Sequence, residues 1–437
     1  MDRKRAGRGY QGILRIARFL KSDSFQGGLL TALVVASLAL SAVVWYGSSL
    51  PLARPSQDTV PAKFPRNPGD WRQLVTPARG VIHLSAREHY VVLPGNPVLA
   101  DVWARGDLIG QMSGLLAGGH QEVRPESLAF EGPGVTLEFA MPINPEEYGL
   151  KVSGLRVEQL TLLGGKSPAA LAKSYPGGTW VKLPLKELPQ LVGAALGKFD
   201  PRSGLRAVEL PARLNGTVVE RGVFVPEEIT MTEYAGEYDL QGNEALAAFF
   251  MDSAMLRRVM ERDGALIFTD GQRGLRIYPS GEIEFTWPEA AEAQPGQDLR
   301  RTMEEAVNFV EAHGGLPAQA RFKRVDLSHT EICYFVGGYP VLRPGASLTL
   351  DLSKYGVRRY FRAVRKASRV LNQRQFEVSA REAVSAGVGA VGKQVTVKYV
   401  YPCYLDTGTS LRPCWAVEFR EGGVAVVDAF TGQVNLL

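Results

Sequence analysis

Val395-Thr-Val-Lys-Tyr-Val-Tyr-Pro-Cys-Tyr404, Cys414-Trp-Ala-Val-Glu-Phe419 and Val424-Ala-Val-Val-Asp428 follow one another near the end of the sequence, and in each apolar and polar residues tend to alternate. Alternation with a period of two reads as strands of an antiparallel sheet with one face covered and one wet. The preceding residues, Ser379 to Val391, read as a helix that stops at glycine, so the unit is a helix laid on a sheet. Further back there is an echo. Glu305-Ala-Val307 and Glu382-Ala-Val384 each open a helix that stops at glycines and leads into two long strands. The pattern predicts two related modules in an α+β fold of antiparallel sheets, with helices Leu299 to Ala312 and Ser379 to Val391 packed on one face.

Working outward, three ectodomain units are expected, at 71–235, 236–341 and 342–437. In the first, Gly80 to Leu84, Tyr90 to Pro94 and the run from Gly134 read as strands. Pro97 to Leu116 and Leu185 to Leu196 read as helices, and Asn215-Gly216 as a hairpin turn. In the second, Asn243 to Met260 reads as helix, broken near Asp252-Ser253, followed by strands Ala265 to Phe268, Leu275 to Tyr278 and Ile283 to Trp287.

The N-terminal part has another character. No charged residue occurs from Ser24 to Ala53, and residues 24–49 are expected to form a transmembrane helix. Trp45 and Tyr46 occupy an interfacial position, and seven basic residues in the 1–23 tail place the N-terminus in the cytoplasm. A cleaved signal peptide is the alternative, opposed by the length of the apolar run and by the bulky Trp45-Tyr46 pair. Residues 50–70 hold five prolines and read as a semi-rigid stalk. The formal charge of +5 belongs to the tail, because the rest of the chain holds 43 basic and 43 acidic residues. Nucleic acid is therefore not an expected partner.

Candidate site residues are few. At about 100° per residue, Gly28, Ala32, Ala36 and Ala39 share one arc of the expected membrane helix, with Ser37 and Ser41 roughly opposite. Small residues in a row let helix backbones approach, and serines can hydrogen-bond across helices. Arg358, Arg359, Arg362, Arg365, Lys366 and Arg369 put six positive charges in twelve residues. The cluster suits an anionic wall polymer, lipid headgroups or an acidic partner face, or else is simply a solvated face. Cys403 and Cys414 are spaced for a bridge across a hairpin, with buried thiols as the other reading, and Cys333 is left over.

Catalytic patterns are not found. Gly387-Val-Gly389-Ala-Val-Gly392 matches a dinucleotide-binding spacing but ends a helix, whereas a phosphate-binding turn must open one. The five histidines include no HExxH pair, and neither a metal nor a cofactor is expected. Ser113 does not sit in a nucleophile elbow.

Four stretches carry a family resemblance. Leu38-Ala-Leu-Ser-Ala-Val-Val-Trp-Tyr-Gly47 resembles the membrane segment of YycH regulatory proteins. Gly134-Val-Thr-Leu-Glu-Phe139 with Pro142 resembles a first-domain strand of that family, and Ile267-Phe-Thr-Asp-Gly-Gln-Arg-Gly-Leu275 its central hairpin. Glu418-Phe-Arg420 through Val427-Asp-Ala-Phe-Thr-Gly-Gln433 resembles the terminal strands of YycI and PepSY-like modules. The resemblance implies a non-enzymatic regulator of the YycG (WalK) sensor histidine kinase of the YycFG (WalRK) two-component system, acting with a companion protein, YycI. It supplies no catalytic residues. The expected function is thus membrane-anchored regulation by protein contact, including transmembrane helix packing. An anchored cell-wall or polymer-binding module without kinase contact is the alternative, and an anchored hydrolase a further one.

Overall fold

The computed structural model describes residues 30–38, 41, 69–105, 121–124, 130, 132–143, 156–165, 168–183, 188–240, 244–251, 256–288, 298–353 and 356–437. The chain folds as α+β, with few helices and mostly antiparallel sheets of nine, eight and ten strands. One contiguous buried apolar cluster runs from Trp71 to Val427 through all three.

The first sheet orders its strands Phe224–Pro226, Leu205–Glu209, Glu88–Val92, Arg79–Ser85, Gly134–Ile143, Arg156–Leu163, Ala169–Tyr175, Trp180–Leu183 and Gln121–Val123, all antiparallel. Strand Arg156–Leu163 is buried at every residue after the first. Burial without alternation means that the strand is covered on both faces, its polar Glu158, Gln159 and Thr161 included. Helices α1 (Pro97–Arg105) and α2 (Leu188–Leu196) pack together, and α2 lies on the sheet through Leu188, Val192 and Ala195. The start of α1 is set by Asn96, whose Oδ1 accepts from the Val98 N–H at 3.0 Å. The other face carries a separate cluster with Val81, Val91, Phe130, Leu171, Trp180 and Phe224.

The remainder repeats one plan three times: a helix followed by a four-stranded meander. Helix α3 (Glu244–Phe250) precedes Arg257–Met260, Leu266–Thr269, Gly274–Ile277 and Ile283–Thr286. Helix α4 (Leu299–Ala312) precedes Arg321–Val325, His329–Cys333, Leu348–Ser353 and Gly356–Arg362. Helix α5 (Ala380–Val391) precedes Thr396–Asp406, Ser410–Phe419, Val424–Asp428 and Val434–Leu436. The first two meanders join edge to edge, Ile283–Thr286 on Gly356–Arg362, into the eight-stranded sheet. The helices that contain Glu305 and Glu382 therefore introduce the same strand order, although Glu305 lies in mid-helix and Glu382 in a first turn. In α4 the buried residues are Thr302, Met303, Ala306, Val307 and Val310, a stripe at helical spacing. In α5, Ser379 and Glu382 form a capping box, and Gly392 ends the helix at φ 66°. Gly387 lets α5 approach the sheet, since a Cβ there would stand 3.0 Å from that of Ala425. Two glycines of the Gly387–Gly392 pattern are thus explained by packing and helix termination.

Two details depart from the sequence reading. Arg257–Met260, expected as the end of a helix, is a strand exposed at all four residues. The chain reverses at Asp263-Gly264, with Gly264 at φ 85°, and pairs this segment back on Leu266–Thr269. Pairing with a neighbour overrides a local helical spacing here. The division expected at 341 also falls inside the central sheet, because Leu348–Ser353 and Gly356–Arg362 complete it. Between His329–Cys333 and Leu348–Ser353 the chain sends out a hairpin, Phe335–Val336 with Tyr339–Leu342, whose second strand runs parallel to Thr396–Asp406 in the ten-stranded sheet.

Residues 30–38 and 41 are helical and exposed. Among the described residues no helix is long and apolar enough to cross a membrane. Gly28 and Ala39 of the expected stripe, the 1–23 tail, most of the 50–70 stalk and Ser113 lie outside the described residues.

Candidate functional site: a charge junction between two sheets

The C-terminal sheet meets the first one through buried charges. Glu158 and Lys173 come from neighbouring strands of the first sheet, Glu220 follows strand Thr217–Val219, Lys398 lies on Thr396–Asp406, and Arg420 follows Ser410–Phe419. The Asn215-Gly216 turn, both residues at positive φ, folds Thr217–Val219 back on Arg213–Leu214 and lays it parallel to Thr396–Asp406. That turn delivers Glu220 to the junction.

Arg420 holds both carboxylates: Nη2 is 2.5 Å from Glu158 Oε1, and Nε is 2.5 Å from Glu220 Oε1. Its Nη1 donates to the Pro176 carbonyl at 2.9 Å. Lys398 Nζ approaches Glu158 at 2.9 Å. Lys173 Nζ lies 2.5 Å from Glu220 and 3.8 Å from Glu158. The Lys173 and Glu158 side chains are each 1 % exposed. Burial lowers the Lys173 pKa, opposed by Glu220 and Glu158. For Glu220 burial works the other way, but the Arg420 hydrogen bond and Lys173 prevail and hold its carboxyl below the usual range. Tyr399 lies beneath both lysines, its ring centroid 5.0 Å from each ammonium. A neighbouring crossing uses Arg79, whose Nε donates to Glu138 at 2.6 Å while Nη1 donates to the Val400 carbonyl at 3.1 Å.

The three cations and two carboxylates of this junction are engaged with one another. They fix the orientation of one sheet against another, because each buried charge is tolerable only while its partners stay in place. Sequence reading missed this set. Its one signal is Lys173 in the middle of the apolar run Ala169-Ala-Leu-Ala-Lys-Ser-Tyr175.

The first sheet also buries a histidine pair. His83 and His89 are opposite each other in the hairpin, with Nδ1 atoms 2.9 Å apart. The chain continues from His83 Nε2 to Thr136 Oγ1 and on to Thr161 Oγ1, each at 2.9 Å. Phe130 and Phe224 close around it. Burial, then repulsion from His89, lowers the His83 pKa to about 3. Among the described residues no group of three His, Cys, Asp or Glu side chains is placed to hold a metal.

The sequence-derived candidates are dispersed. Arg362 and Arg365 are interior: Arg362 pairs with Asp239, and Arg365 Nε lies 2.9 Å from Asp406. Arg359 pairs with Glu284 at 2.7 Å. Arg358 lies half-buried on the central sheet, and Lys366 and Arg369 are exposed on a different sheet. The six charges therefore do not form one patch. Cys403 and Cys414 are directly opposite in register, both buried and both free thiols, and Cys333 is separate on the central sheet. Ala32, Ala36, Ser37 and Ser41 are on the exposed N-terminal helical residues.

No family model and no curated protein matches the chain. Among solved structures, the crystal structure of YycH from Bacillus subtilis is similar at a TM-score of 0.55 and 14% sequence identity. The likeness covers 85% of this chain and 97% of that one. The chain has the YycH fold.

Proposed function

We propose that the chain is a membrane-anchored extracytoplasmic regulator of a sensor histidine kinase of the YycG (WalK) type, acting by protein contact alongside a YycI-like companion. The observation that carries this reading is the YycH fold over 85% of the chain. The uncharged stretch from Ser24 to Ala53 behind a basic tail supports the anchor, with the N-terminus cytoplasmic. A regulator of this kind needs no catalytic residues. Its ectodomain must hold a fixed shape and present it to partners, and the Glu158–Lys173–Glu220–Arg420 junction suits that requirement. The small-residue stripe Gly28, Ala32, Ala36 and Ala39 is the proposed contact within the membrane, with Ser37 and Ser41 on the second face.

The polymer-binding alternative rested on the 358–369 cluster, and it loses ground because Arg362 and Arg365 serve internal ion pairs.

The test is co-purification from detergent-solubilised membranes containing the kinase and the companion, with kinase output read in the same cells. The full-length chain should bring down at least one of the two. Replacing Ala32 and Ala36 by Leu keeps the segment apolar and blocks close approach, so kinase output should change while the protein stays in the membrane. Failure of the unmodified chain to retain either partner would refute the regulator reading.

A further inference from the structure

Gly69 and Asp70 follow the proline-rich stretch and lead into a single 3-10 turn, Trp71–Val75. Asp70 starts the turn, its Oδ1 accepting from the Arg72 N–H at 3.1 Å. The Thr76 hydroxyl closes it by donating to the Gln73 carbonyl at 3.1 Å. So short a helix has no stability of its own. Trp71, Leu74 and Val75 are nevertheless only 3%, 4% and 5% exposed, and their burial against the rest of the protein holds the turn in place.

The turn lies where two sheets meet. It packs against α4, against Arg321–Val325 at the edge of the eight-stranded sheet, and against Gly134–Ile143 of the nine-stranded sheet. Those two strands also touch each other. The fit depends on Gly69, because a Cβ there would stand 2.2 Å from Val307 Cγ1. Val307 is fully buried in the α4 stripe and β-branched, so it does not swing aside. Beyond the turn, the Ala78 N–H donates to the Glu138 carbonyl at 2.8 Å, and Arg79 reaches the Val400 carbonyl of the C-terminal sheet. Residues 69–79 thus touch all three sheets.

The joints of the first sheet differ in kind. Toward the C-terminal sheet it is held by buried charges, each of which requires its partners in place. Toward the central sheet it is held through the apolar side chains of the turn and of α4. Apolar packing is non-directional and lets packed elements slide. By covalent continuity, any displacement of the chain on the membrane side reaches the ectodomain first at this softer joint. A passive tether would need neither a buried tryptophan nor a glycine fitted against a helix.

We infer that residues 69–79 are the coupling joint of the molecule. Seated, the turn makes the membrane-side chain and the first and central sheets move as one body; unseated, it lets that chain swing free, and regulation is lost.

The inference rests on the regulator reading, and its readout is kinase output in membranes bearing the full-length chain. G69L overfills the seat and W71A empties it. Each should shift output on the order of tenfold, toward that of membranes lacking the chain, with the amount of anchored protein unchanged. L74A replaces W71A if that variant does not fold. Ser379→Ala, which weakens α5 far from the seat, should leave output alone. A disulfide supplies the return arm. A Cβ at position 69 stands 3.6 Å from the Val307 Cβ, inside the range of about 3.5–4.5 Å that a bridge requires. W71A/G69C/V307C oxidised with diamide should regain the output of the unmodified chain treated alike, and dithiothreitol should abolish the gain. Unmoved output in G69L and W71A overturns the inference and leaves the regulator reading standing. An oxidised triple variant that stays at the W71A level does the same, and makes the turn a structural wedge only. A bridge that fails to form overturns it too, since the turn is then not seated. An equal shift in Ser379→Ala overturns it in favour of lost stability. If output is the same with and without the unmodified chain, the regulator reading falls and the inference with it.

Discussion

Acidification should weaken the first sheet through His83. The ring is fully buried between Phe130 and Phe224, and among the described residues no carboxylate acts on it. Its pKa falls from 6.5 to about 3 on folding, because burial and the neighbouring His89 both oppose a charge. Between those two values the unfolded chain binds a proton that the native protein refuses. Stability is therefore full above the unfolded value and is lost as pH falls toward the folded one. At about 1.4 kcal/mol per unit, moving from neutral pH to about pH 5 removes about 2 kcal/mol. A typical domain has only about 5–15 kcal/mol to lose. The His89 pKa is also lowered, by burial first, and it acts in the same direction. The assay is urea unfolding followed by tryptophan fluorescence, comparing the native chain with His83→Gln, which keeps a polar side chain but cannot titrate. The stability difference between the two should shrink by about 2 kcal/mol across that pH interval. Parallel pH profiles would refute the assignment of His83 as a buried neutral group.

Other perturbations probe other parts of the structure. Lys173→Met leaves Glu158 and Glu220 short of a buried counter-charge and should cost about 3 kcal/mol in denaturant unfolding; a change below about 1 kcal/mol would mean that Arg420 and Lys398 suffice. Ser379→Ala removes one half of the capping box and should cost about 1 kcal/mol, read as a lower melting temperature that Ser379→Gly largely restores. Cys403 and Cys414, opposed in register, are proposed to bridge under oxidising conditions. Non-reduced peptide mapping of protein recovered from outside the cytoplasm should return them joined, and two free thiols there would rule the bridge out.

What the sequence revealed depended on how local the cause was. The strands at Val395 to Tyr404, the Asn215-Gly216 turn, and the glycines after α4 and α5 all act on immediate neighbours, and each could be read directly; the wet face expected of those strands is instead buried, with Cys403, Leu405, Cys414, Ala416 and Val426 forming a second cluster there. The strand at Arg257–Met260 could not, since its state is decided by pairing with Leu266–Thr269. The 358–369 cluster misled for a related reason. Nearness along the chain is not nearness in space when two strands of different sheets divide the segment, and a charge cannot be recognised as interior until its partner is known. Asp239 and Asp406 lie 123 and 41 residues from the arginines they neutralise. The charge junction was the least legible of all, because its five members come from five separated segments and only Lys173 looks out of place where it stands.

The tongue at Phe335–Leu342 leaves one meander to complete another sheet, and strand Thr230–Tyr238 waits for Ser410–Phe419. For a chain threaded across a membrane, as proposed here, these are debts of order: the middle of the protein emerges with open edges that only its last part can close. The final strands are then less an appendage than a keystone. A premature stop near the end would not yield a slightly shorter regulator. It would release the tongue, strand Thr230–Tyr238 and the counter-charges of Glu158 together, and quality control outside the cytoplasm would meet an opened molecule with exposed strand edges.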